Sequence, residues 1–90
     1  MRTISNENQL VGIVIRDRDG VLFDGKAESL SSYNETGEFD VLSLHTNFIS
    51  IISRNITVRL EGGAVKSLPI QTGVMKVNKN NIEVYLGISH

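Results

Sequence analysis

The sequence has no cysteine. Disulfides and thiolate metal sites are therefore excluded, and nothing points to an oxidising compartment. It also has almost no net charge, with nine Lys and Arg against ten Asp and Glu, or -1 at pH 7. A protein that tracks phosphates usually carries a basic face, so nucleic acid is not an expected partner. Two histidines, one of them terminal, are too few for a histidine metal cluster. No apolar run approaches the ~18 residues needed to cross a bilayer. The polar start, MRTISNENQL, lacks the apolar core of a secretory signal. No segment keeps helical spacing over about ten residues. These absences leave a cytosolic chain, free or bound to the surface of something larger.

What is present fits one small domain. Ninety residues, 40% hydrophobic and 21% charged, is a globular composition. A domain of this size buries roughly 60% of its chain surface, so its core is thin. Residues 1–9 read as a polar tail and 10–90 as the single domain.

The periodicity is that of strands. Leu10–Ile15, LVGIVI, is β-branched and reads as a strand buried on both faces. Asp19-Gly20 is a hairpin signal, because glycine accepts positive φ. Val21–Phe23 returns and is cut short by a second turn signal, Asp24-Gly25. Lys26–Tyr33 alternates weakly, with Ala27, Ser29 and Ser31 on one face. Asn34-Glu35-Thr36-Gly37 is a turn, since asparagine tolerates turn conformations. Ile56–Glu61 alternates without fault, with Ile56, Val58 and Leu60 inward. Gly62-Gly63 turns the chain into Ala64–Ile70. Pro69 cannot donate to a ladder, so this strand lies at an edge or bends. Gln71-Thr72-Gly73 reads as a kink. Val74–Val77 then pairs through Asn78–Asn81 with Ile82–Ile88, whose Ile82, Val84, Leu86 and Ile88 face one way. Short strands at this spacing favour a sandwich or barrel. The expected fold is all-β, a flattened barrel or sandwich of about ten short, mostly antiparallel strands.

The stretch Thr36–Ser50, TGEFDVLSLHTNFIS, is read as a polar loop crossing between strand sets. It carries the carboxylate of Glu38 at one end and the imidazole of His45 at the other. It closes on Phe48–Ile52, apolar enough to be buried. A catalytic His45 would need a nucleophile or acid at hydrogen-bond distance, and sequence places none there. A loop histidine holding a turn or touching a partner is the simpler reading.

Another stretch imitates an active site. Ile13-Val14-Ile15-Arg16-Asp17-Arg18-Asp19-Gly20-Val21 resembles the first motif of haloacid-dehalogenase-type phosphatases. There, Asp17 would be the nucleophile and Asp19 the acid/base beside Mg²⁺. That fold requires a parallel sheet with crossover helices, for which the sequence shows no pattern. A calcium loop fails on the early glycine, Gly20. A hairpin turn accounts for the same residues. Asn34-Glu35-Thr36 and Asn55-Ile56-Thr57 match the glycosylation pattern, but no secretory signal accompanies them.

Three segments together resemble the epsilon subunit of F-type ATP synthases, specifically its N-terminal β-sandwich domain. Gly20–Leu30 is similar to the family's second and third strands. Gly37-Glu38-Phe39-Asp40-Val41-Leu42-Ser43-Leu44-His45 resembles the signature Gly-Glu-apolar-Gly-apolar-Leu-Pro-x-His-Ala-Pro. Thr72–Asn78 and Asn81–Val84 resemble the closing strands. Asp40 replaces the signature's second glycine, and Ser43 and Asn47 replace its prolines. The family's C-terminal helical hairpin has no counterpart before His90, so ATP sensing and inhibition of hydrolysis are not carried over.

The resemblance implies a rotor part with no active site, no cofactor and no metal. Its partners would be the gamma subunit of F1 and the c-ring of Fo, with one copy per complex and no membrane insertion. Its place would be peripheral, on the cytoplasmic face of the inner (plasma) membrane. Glu35, Thr36, Gly37 and Glu38 match the c-ring-facing loop. His45, Thr46 and Asn47 match the region that meets gamma. Two other readings remain: a β-sandwich interaction domain with a different partner, and a phosphatase-like fragment using Asp17 and Asp19.

Overall fold

The computed structural model describes residues 10–42 and 47–87. The expected tail, His45, Thr46 and the last residue of the expected final strand, Ile88, lie outside the described residues. Seven strands follow in order: β1 (Val11–Asp17), β2 (Gly20–Ala27), β3 (Ser29–Asn34), β4 (Gly37–Val41), β5 (Asn47–Arg59), β6 (Val65–Asn78) and β7 (Asn81–Leu86). There is no helix among the described residues. The strands form one sheet in the order β2-β1-β7-β6-β5-β3-β4, which does not close into a barrel. All its pairings are antiparallel except that of β1 with β7.

The turns fall where turn residues fall. Asp17 pairs with Gly20 across Arg18-Asp19, and Gly20 sits at φ 144°. Asp17 Oδ1 accepts from the backbone N–H of Asp19 (2.8 Å) and of Gly20 (3.1 Å). Asn34 pairs with Gly37 and Asn78 with Asn81, as the turn residues suggest. Gly62 and Gly63, at φ 91° and 101°, turn β5 into β6.

The all-β reading holds, but the strands are fewer and longer than expected. Phe48–Ile52 and the expected strand Ile56–Glu61, up to Arg59, belong to the single 13-residue β5. The expected segments Ala64–Ile70, from Val65 on, and Val74–Val77 merge into the 14-residue β6. The expected kink at Gln71-Thr72-Gly73 is a bulge within that strand. Ser53 pairs with Thr72 and Arg54 with Ile70, which leaves Gln71 unopposed. This extra residue moves the inward face of β6 from Leu68 and Ile70 to Gly73, Met75 and Val77. Arg54, opposite it, takes φ 75°. Asp24-Gly25 does not turn either: β2 runs through it to Ala27, with Gly25 opposite Ile13. A glycine breaks a strand only where its neighbours fail to pair, and β1 pairs along the whole of β2.

The sheet folds over on itself at the bulge. In the sheet, β2 and β6 are three strand spacings apart, about 14 Å. Yet the Lys66 ammonium of β6 lies 5.8 Å from the Phe23 ring of β2. The two halves are therefore stacked as a sandwich. One layer is β2, β1, β7, the C-terminal half of β6 and the start of β5. The other is the N-terminal half of β6, the end of β5, β3 and β4. Glu28 makes a corner between layers, its N–H donating to Arg59 O at 2.8 Å. It splits the expected Lys26–Tyr33 strand and moves the buried positions from Ala27 and Ser29 to Leu30 and Ser32.

Between the layers lies one core, with Ile13, Ile15, Leu30, Ile52, Ile56, Met75, Val77, Ile82 and Val84 all buried. The inward alternation expected for Ile56 and Val58, and for Ile82, Val84 and Leu86, is present. β1 differs from expectation. Only Val11, Ile13 and Ile15 are buried, while Gly12 and Val14 are partly exposed on the outer face. Pro69 meets its expected place. It lies in the half of β6 that pairs with β5 alone, because β7 pairs only from Gly73 onward.

Candidate docking surfaces

The stretch Thr36–Ser50 is not a continuous loop. Gly37–Val41 is β4, paired along its length with β3, and β5 begins at Asn47. Pairing wins here because Phe39 and Val41 alternate inward, Val41 fully buried and Phe39 packed on the core. The same alternation turns Glu38 and Asp40 outward, and both are exposed.

Glu35 and Thr36 form the exposed tip of the β3–β4 hairpin. Asn34 fixes that tip. Its Oδ1 accepts from Thr36 N at 2.9 Å and from Thr36 Oγ1 at 2.7 Å. Gly37 closes the turn at φ 125°, where an L side chain is strained. Glu38 stands opposite Tyr33, and Asp40 opposite Ser31, whose Oγ donates to Asp40 Oδ1. Behind them runs a polar groove lined in part by Glu28, Ser31, Glu38, Asp40, Thr57 and Arg59. Three carboxylates and one guanidinium make this rim acidic. The four expected residues Glu35, Thr36, Gly37 and Glu38 are thus brought together on one rigid hairpin.

Asn47 lies elsewhere. Tyr33 is the last residue of β3 that pairs with β5, opposite Ser53, and Asn47 begins β5 beyond that pairing. Asn47 is exposed, and its Oδ1 accepts from Lys79 N at 3.0 Å, which ties the start of β5 to the β6–β7 turn. Of the expected His45, Thr46 and Asn47, Asn47 alone is among the described residues, and it lies on β5 and not on the β3–β4 hairpin.

The expectation that Phe48–Ile52 is buried is overturned. Ile52 is fully buried, but Ile49 is 69% exposed, Ile51 66% and Phe48 37%. Ile49 lies opposite Lys76, and Ile51 opposite Val74, on the outer face of the first layer. Sequence reasoning missed these isoleucines because Phe48, Ile49, Ile51 and Ile52 fill both parities of the strand. The usable signal sits on the partner strand, where Met75 and Val77 are apolar and Lys76 between them is charged. A lysine opposite Ile49 marks that face as the outer one.

The early aspartates do not make a reaction site. Asp17 spends one carboxylate oxygen on two backbone N–H groups of its own turn, as the hairpin reading requires. Among the described residues no three His, Asp or Glu side chains converge as metal ligands. No helix among them is long and apolar enough to cross a membrane.

Residues 11–86 match the family model described as the ATP synthase, Delta/Epsilon chain, beta-sandwich domain. The chain belongs to this family. The chain is similar to the ATP synthase epsilon chain of Sulfurimonas denitrificans, to which it is 33% identical over 67 residues. That match covers 73% of this chain and 52% of the relative, so the chain spans about half the length of the curated relative it matches. The fold is also similar to a chain in the Euglena gracilis mitochondrial ATP synthase (OSCP/F1/c-ring), with a TM-score of 0.79 at 16% identity. That match covers 96% of this chain and 57% of the other. A chain of the central stalk and c-ring structure from the Tetrahymena thermophila mitochondrial ATP synthase gives 0.68 at 10% identity. It covers 87% of this chain and 63% of the other. At these identities the two structures speak for the delta/epsilon fold alone.

Proposed function

We propose that this chain is a non-catalytic epsilon subunit of the central stalk of an F-type ATP synthase. It docks on the gamma subunit and on the c-ring, one copy per complex, and so couples ion translocation to ATP synthesis. It binds no cofactor, and it sits peripherally on the cytoplasmic face of the inner membrane without inserting into it. The observation that carries this reading is the family match across residues 11–86, nearly the whole described chain. The geometry supports it. A part that transmits torque needs docking groups held by a stiff scaffold, and paired strands hold groups better than loose segments do. The hairpin is acidic and the start of β5 is apolar, and two such chemistries suit two neighbours. The acidic hairpin Glu35–Glu38 is the c-ring side. Asn47, with His45 and Thr46, is the gamma side, extended by the apolar pair Ile49 and Ile51.

The test is assembly. The chain co-purifies with gamma at about 1:1 when mixed at micromolar concentrations. Glu38→Ala combined with His45→Ala weakens assembly into the rotor and leaves the circular dichroism spectrum unchanged. Absence of gamma binding at those concentrations would count against the proposal. Unfolding of the double variant would make these residues structural.

A further inference from the structure

We propose that Arg54 completes the docking surface of the β3–β4 hairpin, so that a row Arg54–Tyr33–Glu38, and not the hairpin tip alone, meets the partner there. The row takes that partner from the c-ring reading of the hairpin proposed above. Arg54 stands at a position of β5 where alternation points to the core. Ile52, Ile56 and Val58 are buried, and a regular strand would send residue 54 inward with them. The backbone leaves the strand conformation at Arg54, at φ 75°, and the side chain is exposed. Few residues other than glycine and asparagine take that conformation, because the Cβ crowds the following carbonyl. Among the described residues Lys79 shares it, but Lys79 lies in the β6–β7 turn, where it is ordinary. The bend itself is anchored to β3, since the buried Ser32 donates its Oγ to Asn55 O at 2.9 Å. Glycine would make the same bend without strain. What glycine lacks is the side chain, and strain of this kind gathers where a side chain has work to do at a binding site.

The side chain reaches the hairpin. The Arg54 guanidinium lies 5.3 Å from the centre of the Tyr33 ring. Tyr33 stands opposite Glu38, and residues directly opposed in a ladder face the same side of the sheet. Cation, aromatic ring and carboxylate thus follow one another across β5, β3 and β4, with Arg54 and Glu38 exposed and Tyr33 half-buried between them. Arginine and tyrosine are the types enriched where an interface holds most strongly. Glu38 accepts, and a guanidinium lying on a ring still has N–H groups to donate. The fitting partner is therefore a loop of the c-ring that presents a basic or N–H group to Glu38 and a carboxylate or carbonyl to Arg54, two strand spacings or about 10 Å apart. The two opposite charges also fix the direction of that loop, because the reversed loop sets like charge against like.

The test titrates the full chain, bound to gamma, against purified c-ring in detergent micelles. Arg54→Gly is expected to lower the affinity about tenfold or more, the loss typical of a strong interface arginine. Its Tm stays at or above that of the unaltered chain, because the strain released at φ 75° offsets the lost contact with Tyr33. Arg54→Glu lowers the affinity further, since the position then repels what it attracted. Binding to gamma is unchanged in both variants. Unchanged c-ring affinity in Arg54→Gly, equal losses in the two variants, or a lower Tm for Arg54→Gly overturns the proposal and leaves Arg54 as a brace for Tyr33. An unaltered chain that fails to bind the c-ring overturns the c-ring reading and this row together, whereas variants that bind as well as the unaltered chain overturn the row alone.

Discussion

Gly73 lies directly beneath Leu86: a Cβ built on the glycine would come within 2.6 Å of Leu86 Cδ2 and 3.1 Å of the Tyr85 carbonyl oxygen. The leucine could swing away, but the backbone oxygen is fixed in the β6–β7 ladder. Gly73→Ala is therefore expected to destabilise the fold by about 1–3 kcal/mol, the usual range for overpacking. In a domain of this size each kcal/mol lowers Tm by about 4–8 °C, which thermal unfolding resolves. An unchanged Tm would mean that β6 and β7 separate easily at this point.

Ile51 and Ile52 are neighbours in sequence and opposites in energy. Ile52→Ala is expected to cost about 2–5 kcal/mol, because the buried side chain leaves a cavity between the layers. Ile51→Ala is expected to stay within about 0.5 kcal/mol, because its side chain is already in water. Denaturant titration of the two variants gives the comparison directly. Equal losses would reverse the assignment of inner and outer faces along β5.

Tyr85 donates its hydroxyl to Glu83 Oε1 at 3.0 Å. That bond, slight burial and the carboxylate's charge raise the phenol above its ordinary value of about 10, against a smaller opposing pull from Arg16. The folded chain holds this proton more tightly than the unfolded chain does. The contribution to stability is thus complete below about pH 10 and fades as pH rises through the raised value. Glu83→Gln should bring the ionisation back towards about 10. Ultraviolet titration of tyrosinate, with Tyr33→Phe as background, reads the shift. A phenol that ionises at the same pH in both proteins would show that the bond does not persist in solution.

Asn34→Ala removes the oxygen that accepts both Thr36 bonds at the hairpin tip. The expected loss is about 1 kcal/mol, since the groups are exposed and water replaces the partner. The larger effect should be on function. A looser Glu35-Thr36 tip is expected to weaken association with c-ring particles while co-purification with gamma is unchanged. Equal loss of both partners would indicate that the hairpin and the start of β5 act as one surface.

Much of this protein is legible in its residues. Turns closed by a glycine at positive φ, or by an Asp or Asn side chain bonding its own backbone, could be read in advance. The examples are Asp17–Gly20, Asn34–Gly37 and Gly62-Gly63. These are local devices whose energy is settled within a few residues. Alternation did the same for Ile56–Leu60 and Ile82–Leu86, since a strand that meets a core on one face must repeat every second residue. The turn Asn34–Gly37 and the outward Glu38 were legible too, but the strand β4 that follows the turn was read as loop.

What stayed hidden depends on pairing between distant segments. Asp24-Gly25 looks like a turn until β1 lies along all of β2. Gln71 looks like a break until β5 bonds on both sides of it and makes it a bulge. Ile49 and Ile51 look buried because a run apolar on both faces carries no sign of which face is covered. The sequence by itself determined an all-β chain, its turns and the inward residues of its alternating strands, for these follow from short-range sterics and hydrophobic period. Only the tertiary structure decided that seven strands fold into two layers, and that the start of β5 is left open and apolar. Which edge goes unpaired depends on where β3 stops, and no local rule contains that.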